Sequence, residues 1–448
     1  MIRILIVLVF LWSGSAQAEV KIKTLTSLGG ISAWLVEEPT IPFTALEIMF
    51  SGGAALDLAD KRGAAYLMMG LLEEGSGDLD AQAFAAEQEA LATSFSFDVY
   101  DDTVSISVRF LTENRTESLA LLKTALTQPR FDPEAIERVR AQVLSIVASD
   151  AKDPETVAGA TWSQLAFGTH AYGTSRKGKS SSIAALTRDD IVAAHTMLLV
   201  RDTLFVSAVG DISEAELAPL LDNLLGDLPA GVGLKTAPVD FAIKGGLTVV
   251  DLPTPQSVAL FGHSGIDRDH ADFFAAYVLN TILGGRGVQS RLSAEVREKR
   301  GLTYGVSSFL VGKEEANMLM GQVASANDRI GEAIEVIRNE WAKMARDGVS
   351  QSELSDAQTY LTGAYPLRFD GNAKIANILV GMQRQGLSTE YINTRNDQIN
   401  AVTLVEINRV AAQLLQPEDM HFVVVGQPKG LNDCLLYTSD AADDLFRV

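Results

Sequence analysis

The chain has 448 residues, of which 21% are charged and 47% are hydrophobic, a composition typical of a folded protein with two or three domains. Its 57 acidic residues outnumber the 37 lysines and arginines, and the formal charge of −20 argues against nucleic acid or anionic membranes as partners. The single cysteine, Cys434, excludes an intramolecular disulfide and a thiolate zinc site.

The N-terminal residues 1–18 have the pattern of a secretory signal peptide. A cation at Arg3 precedes the apolar run Ile4–Trp12, and residues 16–18 form an A-x-A cleavage site. The run is shorter than the ~20 residues that span a bilayer, and no later segment is long and uncharged enough to do so. We therefore expect a mature protein that begins near Glu19 and resides in a bacterial periplasm. The alternative interpretation of the run is a buried N-terminal helix.

The rest of the chain repeats one pattern of elements. A predicted strand at Leu46–Phe50 ends in a glycine turn, and Val258–Gly262 has the same pattern about 210 residues later. Near the end of the first half, the predicted strand Leu204–Gly210 is matched by His421–Gly426. Two matching ends at nearly one offset predict two homologous halves of about 200 residues each.

Each half continues with the same order of elements. The predicted strand Thr103–Phe110 alternates polar and apolar residues, which indicates a sheet with one solvent-exposed face. Apolar and amphipathic helices are predicted at 63–72, 116–126 and 133–149 in the first half and at 271–283, 330–346 and 352–362 in the second. Strands and helices in this segregated order predict an α+β fold, with helices on one side of each sheet.

The composition also sets the domain boundaries. Proline and glycine are frequent between Gly226 and Gly246, where no regular element is expected. We predict an N-terminal domain at 19–228, a linker at 229–246 and a C-terminal domain at 247–431. The tail at 432–448 matches neither half, and we treat its origin as doubtful.

Taken alone, the residues show no complete active site. Gly173–Ser180 matches the phosphate-loop pattern G-x-x-x-x-G-K-[ST], but no hydrophobic strand precedes it, so we interpret it as a solvated basic loop. None of the five histidines lies three or four residues from another, so no helix turn presents a histidine pair to zinc. The G-x-S-x-G elbow of serine hydrolases is also missing from the sequence.

The repeat and several phrases together resemble the insulinase, pitrilysin and mitochondrial processing peptidase family of inverted-motif zinc metallopeptidases. The resemblance covers about Ile22 to Gly430 and implies a clamshell, in which two mixed or antiparallel sheets with helices on one side form a chamber wall. The matching phrases are 167–173 (FGTHAYG), 185–191 (ALTRDDI), 209–211 (VGD), 283–292 (LGGRGVQSRL) and 297–304 (REKRGLTY).

The family's catalytic motif, H-x-x-E-H, falls on the first helix of the first half. There the resemblance places Tyr66 at the first zinc ligand, Met69 at the catalytic base and Gly70 at the second ligand. A third ligand, a glutamate, should fall near 145–147, but no acidic residue occurs from 141 to 149. The resemblance thus implies that this chain binds no catalytic zinc. The nearby pair at 73 and 74 is interpreted as a solvated helix end.

A second group of family residues is kept. In active relatives an arginine and a tyrosine seven residues apart reach the substrate and the oxyanion that forms at its scissile carbonyl, and Arg297 and Tyr304 have this spacing. Gly284, Gly285 and Gly287 match the family's chamber-lining turn, which contacts substrate. The alternative is that the arginine is a helix-surface charge and the tyrosine packs on a strand face.

A lost metal motif beside a kept arginine and tyrosine implies the non-zinc subunit of an exported heterodimeric metallopeptidase. A homologous partner would hold the zinc, and this chain, inactive alone, would close the chamber around an unfolded peptide. Two alternatives remain open: a scaffold without catalytic part, as in the core subunits of a respiratory complex, and a homodimeric peptide-binding protein. A peptidase that acts on its own is disfavoured.

Overall fold

The structure, a computed structural model, describes residues 20–431 except Val232 and Val288. The predicted signal peptide and the tail with Cys434 lie outside the described residues. The strands are β1 Lys23–Thr26, β2 Ser32–Glu37, β3 Phe43–Ser51, β4 Gly75–Ser76, β5 Leu79–Asp80, β6 Ser94–Val99, β7 Thr103–Leu111, β8 Leu204–Gly210, β9 Gly246–Asp251, β10 Gln256–Ser264, β11 Val306–Gly312, β12 Asn317–Ala326 and β13 His421–Gly426. The helices are α1 Ala64–Gly70, α2 Ala81–Ala90, α3 Arg115–Thr127, α4 Pro133–Asp150, α5 Pro154–Phe167, α6 Ser180–Ala185, α7 Arg188–Leu198, α8 Glu214–Leu225, α9 Phe273–Gly284, α10 Ile330–Asp347, α11 Gln351–Ala364, α12 Asn372–Arg384, α13 Tyr391–Ala401 and α14 Leu404–Leu414.

The two halves form two related sheets. The first has the strand order β1-β2-β8-β3-β7-β6, and the second has the order β9-β13-β10-β12-β11. In each sheet one pair is parallel, β2 with β8 and β9 with β13, and the other neighbours are antiparallel. The second sheet thus repeats the first without a partner for β1. The predicted α+β fold of two homologous halves is confirmed.

The predicted helices are present with small shifts of their ends. The helix expected at 63–72 is α1, and the long pairs in each half are α3 with α4 and α10 with α11. Each of α4 and α5 begins with a proline, whose missing N–H costs nothing at a first helical position. No helix in the described part of the chain is long and apolar enough to cross a membrane.

Each half has its own core between its sheet and its helices. In the first half, Ile48 and Phe50 on β3 pack in one cluster with Leu67 and Met68 of α1. In the second half, Phe261 of β10 stacks on Phe422 with ring centroids 5.1 Å apart. All six side chains are fully buried. Polar and apolar residues alternate along these strands because one face of each sheet must be apolar to pack against the helices.

A buried histidine joins the second core. The indole N–H of Trp341 donates to Nε2 of His263 at 3.1 Å, and Nδ1 lies 2.7 Å from the carbonyl oxygen of Ser264. An Nε2 that accepts leaves the proton on Nδ1, so the ring is neutral. Burial lowers the pKa of His263, which agrees with that state.

The opposite face of each sheet is covered by a helix from the other half. Helix α5 of the first half packs on β10 and β13 of the second sheet, with Ala158 and Trp162 in one cluster with Met318 and Val425. Helix α12 of the second half packs on β3 and β8 of the first sheet, where Ala376 and Leu379 meet Ala45 and Val209. The Ser207 hydroxyl also donates to the Ala376 carbonyl oxygen at 2.6 Å.

Two sequence predictions are corrected by the structure, the first of them by this exchange. Helices were expected on one side of each sheet, but α5 and α12 occupy the second side. The polar face of β7 was expected to meet solvent, and this holds at Arg109, which is exposed. Thr103 and Ser105, on the same face, are buried. Strand periodicity reports which face is apolar, but it does not report cover supplied from a distant part of the chain.

A polar cluster fixes the halves to each other at the ends of two hairpins. The Tyr172 hydroxyl donates to Oδ1 of Asp102 at 2.6 Å, and the backbone N–H of Glu314 donates to Oδ2 at 3.1 Å. The ammonium of Lys313 pairs with Asp101 and lies 4.6 Å from the Tyr172 ring centroid. The phrase FGTHAYG, which carried part of the family resemblance, thus supplies a contact between the halves.

We expect Trp162→Ala to lower the free energy of unfolding by about 3–5 kcal/mol, the usual cost of truncating a buried tryptophan. Trp162 is 2% exposed against the second sheet, so the loss should also uncouple the halves and broaden the urea transition. The matched control is Leu165→Ala on the same helix, where the side chain is 39% exposed and the change should stay within about 0.5 kcal/mol. Equal effects of both substitutions would contradict the exchanged packing.

Candidate functional site

Helix α1, which carries the degenerate zinc-motif positions, starts at a polar cap. Oδ2 of Asp57 accepts the N–H of Gly63 at 2.9 Å, and Oδ1 accepts the N–H of Ala65 at 3.1 Å. Gly63 has φ +99°, and a Cβ there would lie 2.5 Å from the Lys177 carbonyl oxygen, so glycine is required. Burial raises the pKa of Asp57 to about 6, against the opposing effects of Arg62 and the backbone N–H groups.

The side chains at the motif positions lie in apolar surroundings. Met69 is 2% exposed within the first-half core, and Tyr66 packs against that core while half-buried. A Cβ at Gly70 would lie 3.2 Å from Cγ1 of Val139 on α4, so this helix face is already closely approached. At the positions that the resemblance assigns to two imidazoles and a carboxylate, this chain has a phenol, a hydrogen atom and a thioether.

The expected third-ligand region offers no replacement donor. Residues 145–147 lie on α4, and the neighbouring Leu144 and Val147 pack against the first-half core. The described residues contain no group of three or more histidine, cysteine, aspartate or glutamate side chains placed to hold a metal ion. Zinc takes imidazole, thiolate or carboxylate ligands, so the residues present do not fit the family's metal.

The two acidic residues after α1 are paired or partly buried. Glu74 forms an ion pair with Arg138 of α4, and Glu73 accepts a long hydrogen bond of 3.5 Å from Gln88. Burial raises the pKa of Glu73. The sequence interpretation of a solvated helix end is therefore wrong for Glu73, which is half-buried, but the pair still lies beyond the motif turn.

The five histidines are each engaged in local structure. Besides His263, the Nε2 atoms of His170 and His195 lie 3.0 and 2.8 Å from backbone carbonyl oxygens. His421 Nε2 lies 2.9 Å from the Thr248 hydroxyl, and His270 Nδ1 accepts a backbone N–H at 3.1 Å. They lie on separate elements, and each has a local hydrogen-bond partner.

The phosphate-loop match forms a packed loop beside α1. The Ser182 hydroxyl donates to the Arg62 carbonyl oxygen at 2.8 Å, and the Lys177 ammonium pairs with Asp150. A Cβ at Gly178, where φ is +84°, would overlap the Arg62 carbonyl. The glycine therefore serves close backbone packing. The loop follows the 3-10 turn Ala171–Gly173 rather than the strand that a phosphate loop needs.

A cleft of about 640 Å³ lies in the second half, at the start of β11. Its walls combine the glycine turn, the segment before β11, one face of β10 and β12, and the first turn of α5 from the first half. The lining residues are Glu155, Ala158, Val258, Leu260, Gly285, Arg286, Gly287, Gln289, Ser290, Ser293, Arg297, Glu298, Gly305, Val306, Ser307, Gln322, Val323 and Ala324.

Arg297, one of the predicted catalytic residues, lines this cleft and is exposed to solvent. It lies on a π-helical turn, Ser293–Glu298. Nearby Lys299 and Arg300 both pair with Glu295, at 2.5 and 2.6 Å. Within the described residues Arg297 forms no ion pair, although the carboxylates of Glu155 and Glu298 line the same cleft.

Tyr304, the second predicted residue, is 92% exposed immediately before the cleft residue Gly305. The preceding Thr303 is buried, and its hydroxyl donates to the Ala324 carbonyl oxygen at 2.6 Å. The same hydroxyl accepts the N–H of Gly305 at 3.0 Å. Both neighbours of the tyrosine are thus anchored while its ring extends into solvent, which contradicts the alternative of a tyrosine packed on a strand face.

The three glycines of the predicted substrate turn have different surroundings. Gly285 and Gly287 line the cleft, whereas Gly284 is buried, and a Cβ there would lie 2.5 Å from the Ser308 backbone nitrogen. Gly287 has φ +84°, and a Cβ would overlap the Tyr360 hydroxyl. The turn therefore brings α9 close to β11, and only its later glycines can face a ligand.

Two protein-family models match this chain. A family model described as "Insulinase (Peptidase family M16)" matches residues 33–175, and one described as "Peptidase M16 inactive domain" matches residues 185–361. Together they cover more than two thirds of the chain, and the second match begins within the first half, before α7 and β8. The chain belongs to peptidase family M16.

Relatives of this M16 chain share nearly its whole length. The non-peptidase homolog YmxG of Helicobacter pylori is 26% identical over 394 residues, covering 88% of this chain and 91% of that protein. The mitochondrial-processing peptidase subunit beta of Blastocladiella emersonii is 22% identical over 90% of this chain and 88% of its own length. The crystal structure of a peptidase M16 inactive domain from Pseudomonas fluorescens has a TM-score of 0.85 and 27% identity, covering 91% and 98% of the two chains.

The structure adds two anchors of the M16 glycine turn that the sequence analysis missed. Arg291 donates to both carboxylate oxygens of Glu353 at 2.6 and 2.9 Å and to the Gly348 carbonyl oxygen at 2.9 Å. The arginine lowers the pKa of Glu353 to about 2. Tyr360 donates to the Arg286 carbonyl oxygen at 3.3 Å. The quoted phrase LGGRGVQSRL contains Arg291, but its partner lies about 60 residues away, so spacing could not identify the pair.

We expect Arg291→Met to lower the free energy of unfolding by about 1.5–3 kcal/mol at pH 7, because it removes charged hydrogen bonds to a half-buried carboxylate. The pKa of Glu353 is lowered on folding, so this stabilisation is complete above about pH 4.5 and is lost as the pH falls toward about 2. Urea unfolding at pH 7 and pH 3 would measure the change.

The matched control is Arg300→Met, which removes an ion pair whose arginine is more exposed than Arg291 and should cost at most about 1 kcal/mol. A loss for Arg291→Met that is equally small, or that does not shrink at pH 3, would contradict the anchoring role of this pair.

Proposed function

We propose that this chain is the non-zinc subunit of an exported heterodimeric metallopeptidase. A homologous partner supplies the zinc and the catalytic base. This chain binds no zinc itself, closes the substrate chamber, and contacts an unfolded peptide through Arg297 and Tyr304. The signal pattern at residues 1–18 supports export to the periplasm.

One contrast carries the proposal. At the zinc-motif positions, Met69 is buried in the core and Gly70 has no side chain, so this part of the family site has become packing. At the arginine–tyrosine pair the situation is different. Arg297 lines a cleft and forms no ion pair in the described chain, and Tyr304 is almost fully exposed. Side chains kept exposed beside a cleft suit a ligand from outside the chain.

The chemistry of the two side chains fits a peptide undergoing cleavage. A guanidinium offers several N–H donors in a fixed plane, and a phenol adds one O–H donor. Donors of this kind stabilise negative charge that develops on a carbonyl oxygen. The cleft also borders β11, an outer strand of the second sheet, so an extended peptide can add to it through backbone hydrogen bonds.

Two relatives have names that fit a shared site, whereas others are named uncharacterized zinc proteases. One is named a non-peptidase homolog, and another is named as a subunit of a processing peptidase. A scaffold of the same fold is the second candidate, and it also predicts stable association with a partner. The two candidates differ in one respect, because a scaffold needs neither Arg297 nor Tyr304 for peptide cleavage.

We expect Arg297→Ala and Tyr304→Phe to lower the partner's kcat/KM for an unfolded peptide by roughly 10²-fold each, the usual effect of losing one donor to a developing oxyanion. The assay mixes a zinc-bearing M16 partner with wild-type or variant chain and measures peptide cleavage. Both residues are exposed, so the fold and the association should be unchanged.

The control is Lys299→Ala, which removes an exposed cation of the same segment that pairs with Glu295 and does not line the cleft. Cleavage should stay at the wild-type rate with this variant. Wild-type cleavage with all three variants would reject the shared site and favour the scaffold.

We also expect the purified chain to hold far less than one zinc per molecule after dialysis against a zinc-containing buffer, because the motif positions offer no imidazole or carboxylate. Elemental analysis measures the ratio, and the zinc-bearing partner treated in the same way is the positive control. One tightly held zinc per chain would instead support a peptidase that acts alone.

A further inference from the structure

The cleft beside β11 has a second arginine that the family resemblance does not assign. Arg286 lies between Gly285 and Gly287 in the glycine turn, and it lines the cleft together with Arg297. Both side chains are exposed. The two arginines come from different segments, the turn after α9 and the π-helical turn before β11, so the fold brings two guanidinium groups to one cavity.

These arginines differ from the other cations around them. Arg291, Lys299 and Arg300 each pair with a carboxylate. Among the residues that the structure describes, neither Arg286 nor Arg297 forms such a pair. In a chain with a net charge of −20, two unpaired arginines in one cleft leave a local site for an anion.

Two carboxylates, Glu155 and Glu298, also line the cleft and offset part of the arginines' charge, although neither forms an ion pair with them in the described chain. Glu298 accepts a hydrogen bond from Gln289 at 2.6 Å, which orients its carboxylate but leaves the charge in place. Glu155 enters from the first half, in the first turn of α5, where an acidic residue is favoured by the helix N-terminus. Its negative charge should weaken the binding of an anion. Removing that charge should therefore strengthen anion binding, whereas removing an arginine should weaken it.

We propose that the cleft selects peptides by a carboxylate, which Arg286 and Arg297 bind while the peptide backbone lies along β11. This inference rests on the proposed function, since it specifies the peptide that the shared site receives. The carboxylate belongs either to an acidic side chain within the peptide or to its C-terminus. Arginine suits both sources, because its planar fork can donate two parallel hydrogen bonds to a carboxylate.

The test measures fluorescence anisotropy of labelled peptides with the full mature chain. All four peptides share one neutral sequence rich in valine and threonine. The first has a central glutamate and blocked ends, the second a central glutamine and a free C-terminal carboxylate. The third has a central glutamine and blocked ends, and the fourth a central lysine and blocked ends.

We expect one of the two carboxylate peptides to bind about tenfold more tightly than the neutral peptide, and the lysine peptide to bind most weakly. The better of the first two identifies the source of the carboxylate. Arg286→Ala and Arg286→Gln should each remove this preference, and Glu155→Gln should strengthen carboxylate binding. The control Arg368→Ala, an exposed arginine that does not line the cleft, should leave all four affinities unchanged.

Equal affinity for the neutral and carboxylate peptides, or tightest binding of the lysine peptide, would overturn the inference. The proposed function fails separately, when Arg297→Ala and Tyr304→Phe leave the partner's cleavage unchanged. A chain that binds all peptides equally and still needs Arg297 for cleavage would keep the shared site and lose only the carboxylate preference.

Discussion

The structure depends on a mutual exchange, in which each half contributes one helix to the sheet of the other half. Both faces of each sheet need apolar cover. The helices of its own half cover one face and leave the other exposed. Helix α5 covers part of that second face in the second sheet, and α12 does so in the first. Trp162 and Ala376 are fully or almost fully buried by this exchange, so the halves share one continuous body of packing. Neither half could be removed without exposing part of the other's sheet to water.

The same exchange builds the cleft. Glu155 and Ala158 of α5 form one of its walls, while the sheet and the glycine turn of the second half form the others. A ligand there is therefore in contact with both halves, and any relative movement of the halves changes the cavity. The contact of Asp102 with Glu314 opposes such movement, because the Glu314 N–H donates to Oδ2 across the junction while Tyr172 of the same half holds Oδ1. A rigid junction suits a site whose donors must be held in fixed positions.

The sequence predicted the parts of the fold that depend on local pattern. Strands such as β3 and β10 and helices such as α1 and α9 were predicted because apolar residues recur with the period of each element. The exchanged packing of α5 and α12 was missed, since each of these helices has its partners in the other half of the chain. For the candidate site, the resemblance to the peptidase family identified Arg297 and Tyr304, but the sequence could not show that one lines a cleft and that the other is exposed. The Arg291–Glu353 pair was missed for the same reason, because no local pattern links two distant segments.

The positions that the resemblance assigns to zinc binding and those that it assigns to substrate contact differ in burial in this chain. A zinc site requires polar ligands inside a core, and each such group costs free energy unless the metal or a hydrogen bond satisfies it. With Met69 and Tyr66 at those positions, α1 packs against its core without that requirement. Arg297 and Tyr304 gain no comparable packing, since one is exposed and the other is almost completely so. Because their exposure contributes little to folding, a role in binding explains these two side chains better than a role in stability.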